Sequence, residues 1–132
     1  LETIHLNEEN EFFFESFIAL MRLSYQRKVR DMKLWSENIS SIGRERQKNF
    51  LTYCLRMVRE NFMYNFHESS ITYLSPEEQN FSTRFSPFIN ERNVIGIMTE
   101  LEEAQRHIEQ NVNARMVFFD FALKMIVLLV QK

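Results

Sequence analysis

Apolar residues along this chain recur at spacings of three and four, the period of an amphipathic helix. A first helix is expected from Asn7, as N-cap, to about Gln26, with Glu8, Glu9 and Glu11 in a first turn whose dipole favours acid. Phe13, Phe17 and Leu20 fall on one stripe of it, and Phe14, Ile18 and Met21 on the stripe beside it. A second helix should run from about Lys28 to Ser40, presenting Val29, Met32, Trp35 and Ile39 on one face, with Gly43 in the turn that follows.

The third segment, Arg44 to about Phe66, carries the most information. Leu51, Cys54, Leu55, Val58 and Phe62 keep the i, i+3, i+4, i+7 rule, and Phe50, Tyr53, Met57 and Tyr64 lie roughly 100–160° round from them. Glu45, Arg56, Arg59 and Glu60 are left for the polar side, where Arg56 and Glu60 are spaced to pair. A helix apolar over more than half its circumference is expected at the centre of a bundle, with neighbours on two sides. His67 to Leu74 reads as a loop, with Ile71 and Leu74 plugging an end of the core.

Ser75-Pro76-Glu77-Glu78 then joins an N-cap serine, proline at the first helical position and glutamate at the capping-box position. It opens a short fourth helix that must end before Pro87. A fifth helix spans about Asn90 to Gln110, with Val94, Met98, Leu101, Ala104 and Ile108 inward and an acidic outer face at Glu100, Glu103 and Glu109. Asn113 is the natural N-cap of the last helix.

Composition closes off the other fold classes. With Gly and Pro at two each, the chain lacks the turn residues that an all-β fold needs. Its 132 residues, 45% of them hydrophobic, suit one domain with a real core. The expectation is an all-α bundle of five to six helices, without internal repeats or a second domain. A lone cysteine, Cys54, excludes an internal disulfide and points to a reducing, cytoplasmic setting. There the triplets Asn38-Ile39-Ser40 and Asn80-Phe81-Ser82 carry no glycosylation meaning. No signal peptide is visible, and a start at Leu1 rather than Met predicts a piece of a longer protein. Met116 to Val130 is almost wholly apolar, but Asp120 and Lys124 interrupt it and it falls short of the ~20 residues a membrane span requires.

Catalytic patterns are missing. His5, His67 and His107 are scattered, Glu2 and His5 make a single Glu-x-x-His pair where a di-iron bundle needs two, and Gly43 and Gly96 stand apart from any phosphate loop. Glu103 and His107, four apart, read as a surface hydrogen bond rather than metal ligands. Cys54 sits on an inner stripe, the position of a structural thiol rather than a nucleophile. A non-catalytic domain without metal or cofactor is expected.

Two features point to partners instead. On the last helix Asn113, Asp120, Lys124 and Gln131 make one narrow polar strip, while residues such as Met116, Phe119, Leu123 and Ile126 cover nearly everything else. That much apolar surface needs cover from its own bundle or from a neighbouring chain. The net charge of −2 argues against bulk electrostatic binding of nucleic acid, yet residues 22–59 hold 10 Lys and Arg against 3 Asp and Glu. Arg22, Arg27, Lys28, Arg30, Lys33, Arg44, Arg46 and Lys48 gather near the junctions of the first three helices. Solvated faces, an acidic neighbour or a DNA backbone would each explain them.

The run Ile108-Glu109-Gln110-Asn111-Val112-Asn113-Ala114-Arg115, leading into Met116-Val117-Phe118-Phe119-Asp120, resembles the closing motif of bacterial clamp-loader subunits of the delta-prime and gamma/tau families. Leu34 to Leu51 and Arg59-Glu60-Asn61-Phe62 are similar to the delta-prime family in particular, so the likeness spans most of Phe14 to Leu129. The resemblance implies a C-terminal helical collar domain of a DNA polymerase III subunit, following AAA+ domains that carry any nucleotide-handling residues. Its partners would be the collar domains of delta and gamma/tau, with primed DNA and the sliding clamp reached only through the pentameric loader, and no membrane. By analogy, partner contacts fall at Arg106, His107, Asn111, Arg115, Phe119 and Ile126. Asn111 and Asn113 also read as helix caps, and Phe119 and Ile126 as core. Ala114 departs from the proline many relatives carry, though alanine suits a first helical turn. The equivalent collar domain of a gamma/tau ATPase subunit is the nearest other reading, and a free-standing helical adaptor and a nucleic-acid-binding domain remain beside it.

Overall fold

The computed structural model describes residues 2–64 and 76–130, with side chains for 9–63, 76–78 and 80–130. These form α1 (Glu2–Gln26), α2 (Val29–Ser40), α3 (Arg44–Tyr64), α4 (Pro76–Phe85), α5 (Val94–Glu109) and α6 (Ala114–Leu129), with a 3-10 turn at Ser86–Phe88. The protein is an all-α helical bundle. The expected loop at His67 to Leu74, the plugging role of Ile71 and Leu74, and the serine of the Ser75 capping box lie outside the described residues.

Helix α1 starts earlier than its cap signal. Asn7 lies inside it, because extending an existing helix is favourable and one cap residue does not stop it. Phe13, Phe17, Leu20 and Met21 are buried, with Phe14 and Ile18 half-buried. Arg27 then turns to φ 59° and closes the helix, its N–H reaching the Ser24 carbonyl at 3.3 Å and that of Lys28 the Leu23 carbonyl at 3.0 Å. This is a Schellman ending with arginine where glycine is usual. In α2 the buried face is Met32, Trp35, Ser36 and Ile39, whereas Val29, expected inward, is exposed in the first turn. Gly43, at φ 94°, makes the turn into α3, and the buried Gln47 caps α2 from that next helix by donating to the carbonyls of Ser40 (3.0 Å) and Ile39 (3.3 Å).

Helix α3 is central, as its wide apolar surface requires. Phe50, Leu51, Tyr53, Cys54, Met57 and Val58 are all buried, and the helix packs most extensively on α5, with α1, α2 and α4 also against it. Two details of its polar side differ from the sequence reading. Glu60 is buried, and Arg56 bonds across to Glu78 of α4 at 3.2 Å while lying over the Tyr53 ring at 5.1 Å. Tyr53 donates its hydroxyl to the same Glu78 carboxylate. A tertiary partner on α4 replaces the i, i+4 partner because α3 buries Tyr53 and brings α4 alongside it.

Aromatic rings fill the core. Phe50 lies within 6.2 Å, centroid to centroid, of Phe13, Trp35 and Phe118, which joins α1, α2, α3 and α6. The Trp35 indole N–H donates to the Ser16 carbonyl at 3.1 Å, so this large side chain is buried with its polar atom satisfied. Helix α5 buries Val94, Ile97, Leu101, Ala104 and Ile108; Ile97 takes the inward place expected for Met98, which is half-buried. The helix begins at Val94 rather than Asn90, since Asn90 forms a turn whose side chain accepts from the N–H groups of Arg92 and Asn93. No helix among the described residues is long and apolar enough to cross a membrane.

Candidate functional site

Helices α5 and α6 form an antiparallel hairpin that holds all the residues expected to meet partners. Its turn is built by asparagines. Asn111 adopts φ 63°, its N–H bonding to the Ile108 carbonyl at 3.1 Å while that of Val112 reaches the His107 carbonyl at 3.0 Å, a second Schellman ending. Asn113 caps α6, its side chain accepting from the N–H of Met116 at 3.2 Å. Both asparagines therefore act as caps, and Asn111 does more: its side-chain oxygen accepts from Arg44 at the start of α3. That bond ties the closing run to the stretch Leu34 to Leu51, the two segments that carry the family resemblance.

Arg106 and His107 lie in the last turn of α5 beside Glu103. Arg106 bonds to the Glu103 carboxylate and holds it below the usual carboxylate range, with smaller help from His107 and Lys124. His107 stands 3.9 Å from the same oxygen, so the hydrogen bond expected between them does not form; Arg106 takes the carboxylate. The outer face of α5 is mixed rather than acidic, because Ile95, Thr99 and Arg106 share it with Glu102 and Glu109. Glu100 turns instead toward α6, where Lys124 bonds to it at 3.1 Å and to Asp120 at 3.0 Å. Those bonds, to Asp120 first, raise the Lys124 pKa.

The last helix divides its apolar residues between two sides. Val117, Phe118, Phe121, Ala122, Met125 and Leu129 are buried against α1, α2 and α5. The opposite side is also apolar. Met116 is 66% exposed, Val127 59% and Val130 46%, with Phe119, Leu123 and Ile126 half-buried between them. Asp120 alone interrupts that stripe, and Lys124 borders it. Ile95, 74% exposed, lies at the same end of the hairpin as Val127, because Gly96 approaches so closely that a Cβ there would sit 2.9 Å from Leu128.

Of the six residues named from sequence, Arg106, His107, Asn111 and Arg115 fall at the turn end of the hairpin, and Phe119 stands one turn above Arg115. Ile126 is roughly 10 Å further along the helix axis. Phe119 and Ile126 pack partly on the core, so the most open apolar positions of the hairpin are Met116, Val127 and Ile95, none of them among those six. A signal for two of them was present. Asp120 marks the solvent side, and residues four before and seven after it share that side at a helical period.

The basic residues of the first three helices form two groups rather than one. Arg22, Arg27, Lys28, Arg30 and Lys33 lie around the α1–α2 turn, and Arg44, Arg46 and Lys48 beyond the other end of α2, which is roughly 18 Å long. In the second group Lys48 pairs with Glu45 at 3.6 Å and Arg46 lies over the Phe12 ring at 5.5 Å. Cys54 is fully buried and burial pushes its thiol pKa well up, away from nucleophilic use. Among the described residues no group of three His, Cys, Asp or Glu is placed to hold a metal ion. Compared with known proteins, the chain matches no family model, no curated protein and no solved structure.

Proposed function

We propose that this chain is a non-catalytic oligomerisation domain, of the collar type found in bacterial DNA polymerase III clamp loaders and nearest to the delta-prime subunit. In that role it would join delta and gamma/tau subunits in the pentamer that places the sliding clamp on primed DNA. One observation carries the assembly role: α6 is apolar on the side that its own bundle leaves uncovered. A helix buried by three neighbours has no folding reason to keep methionine, leucine and valine in water, whereas a subunit interface uses such a surface. The clamp-loader assignment rests on the resemblance of Leu34 to Leu51 and Ile108 to Asp120, and the Arg44–Asn111 bond supports it by joining those segments.

The test is assembly. The chain, mixed with bacterial clamp-loader delta and gamma/tau subunits, should co-elute with them in size-exclusion chromatography. Met116→Asp with Val127→Asp should weaken that association by on the order of 100-fold or more, since two apolar contacts are lost and two charges enter a dry interface. Both positions are mostly exposed, so helicity should be unchanged. Failure of the unaltered chain to join those subunits removes the clamp-loader reading. Self-association that the double variant abolishes would make it a helical adaptor, and binding to DNA that falls steeply with salt would favour the nucleic-acid reading.

A further inference from the structure

A groove of about 300 Å³ lies where α1, α4, the 3-10 turn and the end of α6 meet. Tyr25, Phe81, Phe85 and Phe88 give it apolar walls, and Arg22 and Arg84 line it with them. Among the described residues no carboxylate lines it. Both arginines are exposed, and neither makes an ion pair among the described residues. Chain order adds to the local charge, since Arg27, Lys28 and Arg30 follow Tyr25 with no acid before Asp31. Tyr25 is 57% exposed, an unusual position for an aromatic ring that the fold does not need to bury.

Size and ring packing decide what fits. The volume is at the low end for ligand pockets, with room for one or two large side chains. Phe81 and Phe85 stack on each other at 5.0 Å, and Tyr25 meets Phe88 edge to face at 5.1 Å. Rings occupied with one another offer few free faces for nucleic-acid bases, which bind by stacking. They do offer an apolar slot, and the two guanidinium groups beside it fit carboxylates in a bidentate manner.

We infer that this groove docks a short acidic peptide segment of a partner protein, with an aromatic or aliphatic anchor in the slot and carboxylates on Arg22 and Arg84. The site is separate from the outer stripe of α6 and does not depend on the assembly reading.

The experiment uses the 132-residue chain and two nonapeptide libraries, each with phenylalanine at the centre. One library has aspartate or glutamate at the flanks and the other has lysine. The chain should retain the acidic library selectively, and fluorescence anisotropy of a retained peptide should show affinity that falls with salt. Arg22→Glu with Arg84→Glu should reduce that affinity by on the order of tenfold and shift retention toward the lysine library. Tyr25→Ala should also weaken it, with helicity by circular dichroism unchanged in every variant. Equal retention of both libraries, full affinity in the double arginine variant, or loss of binding on Met116→Asp with Val127→Asp would overturn the proposal. Displacement of the peptide by oligodeoxythymidine at equal concentration would overturn it too and assign the groove to single-stranded DNA.

Discussion

Replacing Asn93 by alanine should be among the most damaging single changes to a polar residue of this bundle. The side chain is fully buried where the 3-10 turn, α5 and the end of α6 come together. Its amide donates to the Phe88 carbonyl at 2.7 Å and the Leu128 carbonyl at 2.9 Å, and its oxygen accepts from the N–H of Asn90 at 2.8 Å. Alanine removes all three contacts. A buried polar group that loses its partner costs about 1–3 kcal/mol, and water entering the vacated space restores part of that. A net loss of about 2–4 kcal/mol follows. For a domain of this size each kcal/mol shifts Tm by about 3–5 °C, so the fall should be roughly 6–20 °C. Urea unfolding followed by circular dichroism gives the free energy, and hydrogen exchange should show faster opening at Phe88 and Leu128 than in α2. Because Phe88 also lines the aromatic groove, affinity for the acidic peptide should fall with it. A stability loss below about 0.5 kcal/mol would refute the reasoning, since it would mean that these contacts contribute no more than a surface residue does.

Two further changes test other parts of the fold. Tyr53 has its pKa raised, mainly by burial and next by its bond to Glu78, so the folded chain keeps it neutral while the unfolded chain ionises it near pH 10. Its contribution is thus complete below about pH 10 and is lost as pH rises further, and Tyr53→Phe should flatten the fall in stability between about pH 9 and 11. Unfolding curves at several pH values read this directly; an unchanged slope would show that Tyr53 is not what couples alkaline pH to unfolding. Arg27→Gly should raise stability by about 1 kcal/mol, because φ 59° strains any side chain and arginine there is exposed. Thermal denaturation should show a gain of about 3–5 °C, and a loss instead would mean that the arginine side chain contributes more than the strain removes.

The assembly and peptide proposals place two surfaces on different parts of the bundle. The outer stripe of α6 is long, apolar and nearly uncharged, suited to a flat helical neighbour. The groove is small, aromatic and flanked by cations, suited to a short segment. A domain with both would combine a fixed position in a complex with a second contact that salt weakens. The separate variants at Met116 and Val127, and at Arg22 and Arg84, tell these apart.

Much of the architecture followed from local rules. The period of Phe13, Phe17 and Leu20, the proline and acids at the start of α4, and the Asn113 cap are signals read within one or two turns of helix, and the structure has α1 over the first of these and starts α4 and α6 at the other two. The width of the apolar surface on α3 likewise required neighbours on two sides, whatever those neighbours were. What the sequence could not supply was the choice of partner across the bundle. Arg56 had an acid at i+4 and bonds instead to Glu78 of α4. Asn93 fell unremarked inside the expected fifth helix, and only packing turned its amide toward Leu128. The candidate surfaces show the same division. The wheel of α6 revealed that it was apolar nearly all round, but only the positions of α1, α2 and α5 decided which side was covered and left Met116 and Val127 in solvent. The groove between α1 and α4 was not legible at all, because its walls come from segments some 60 residues apart and no local period records how distant helices meet.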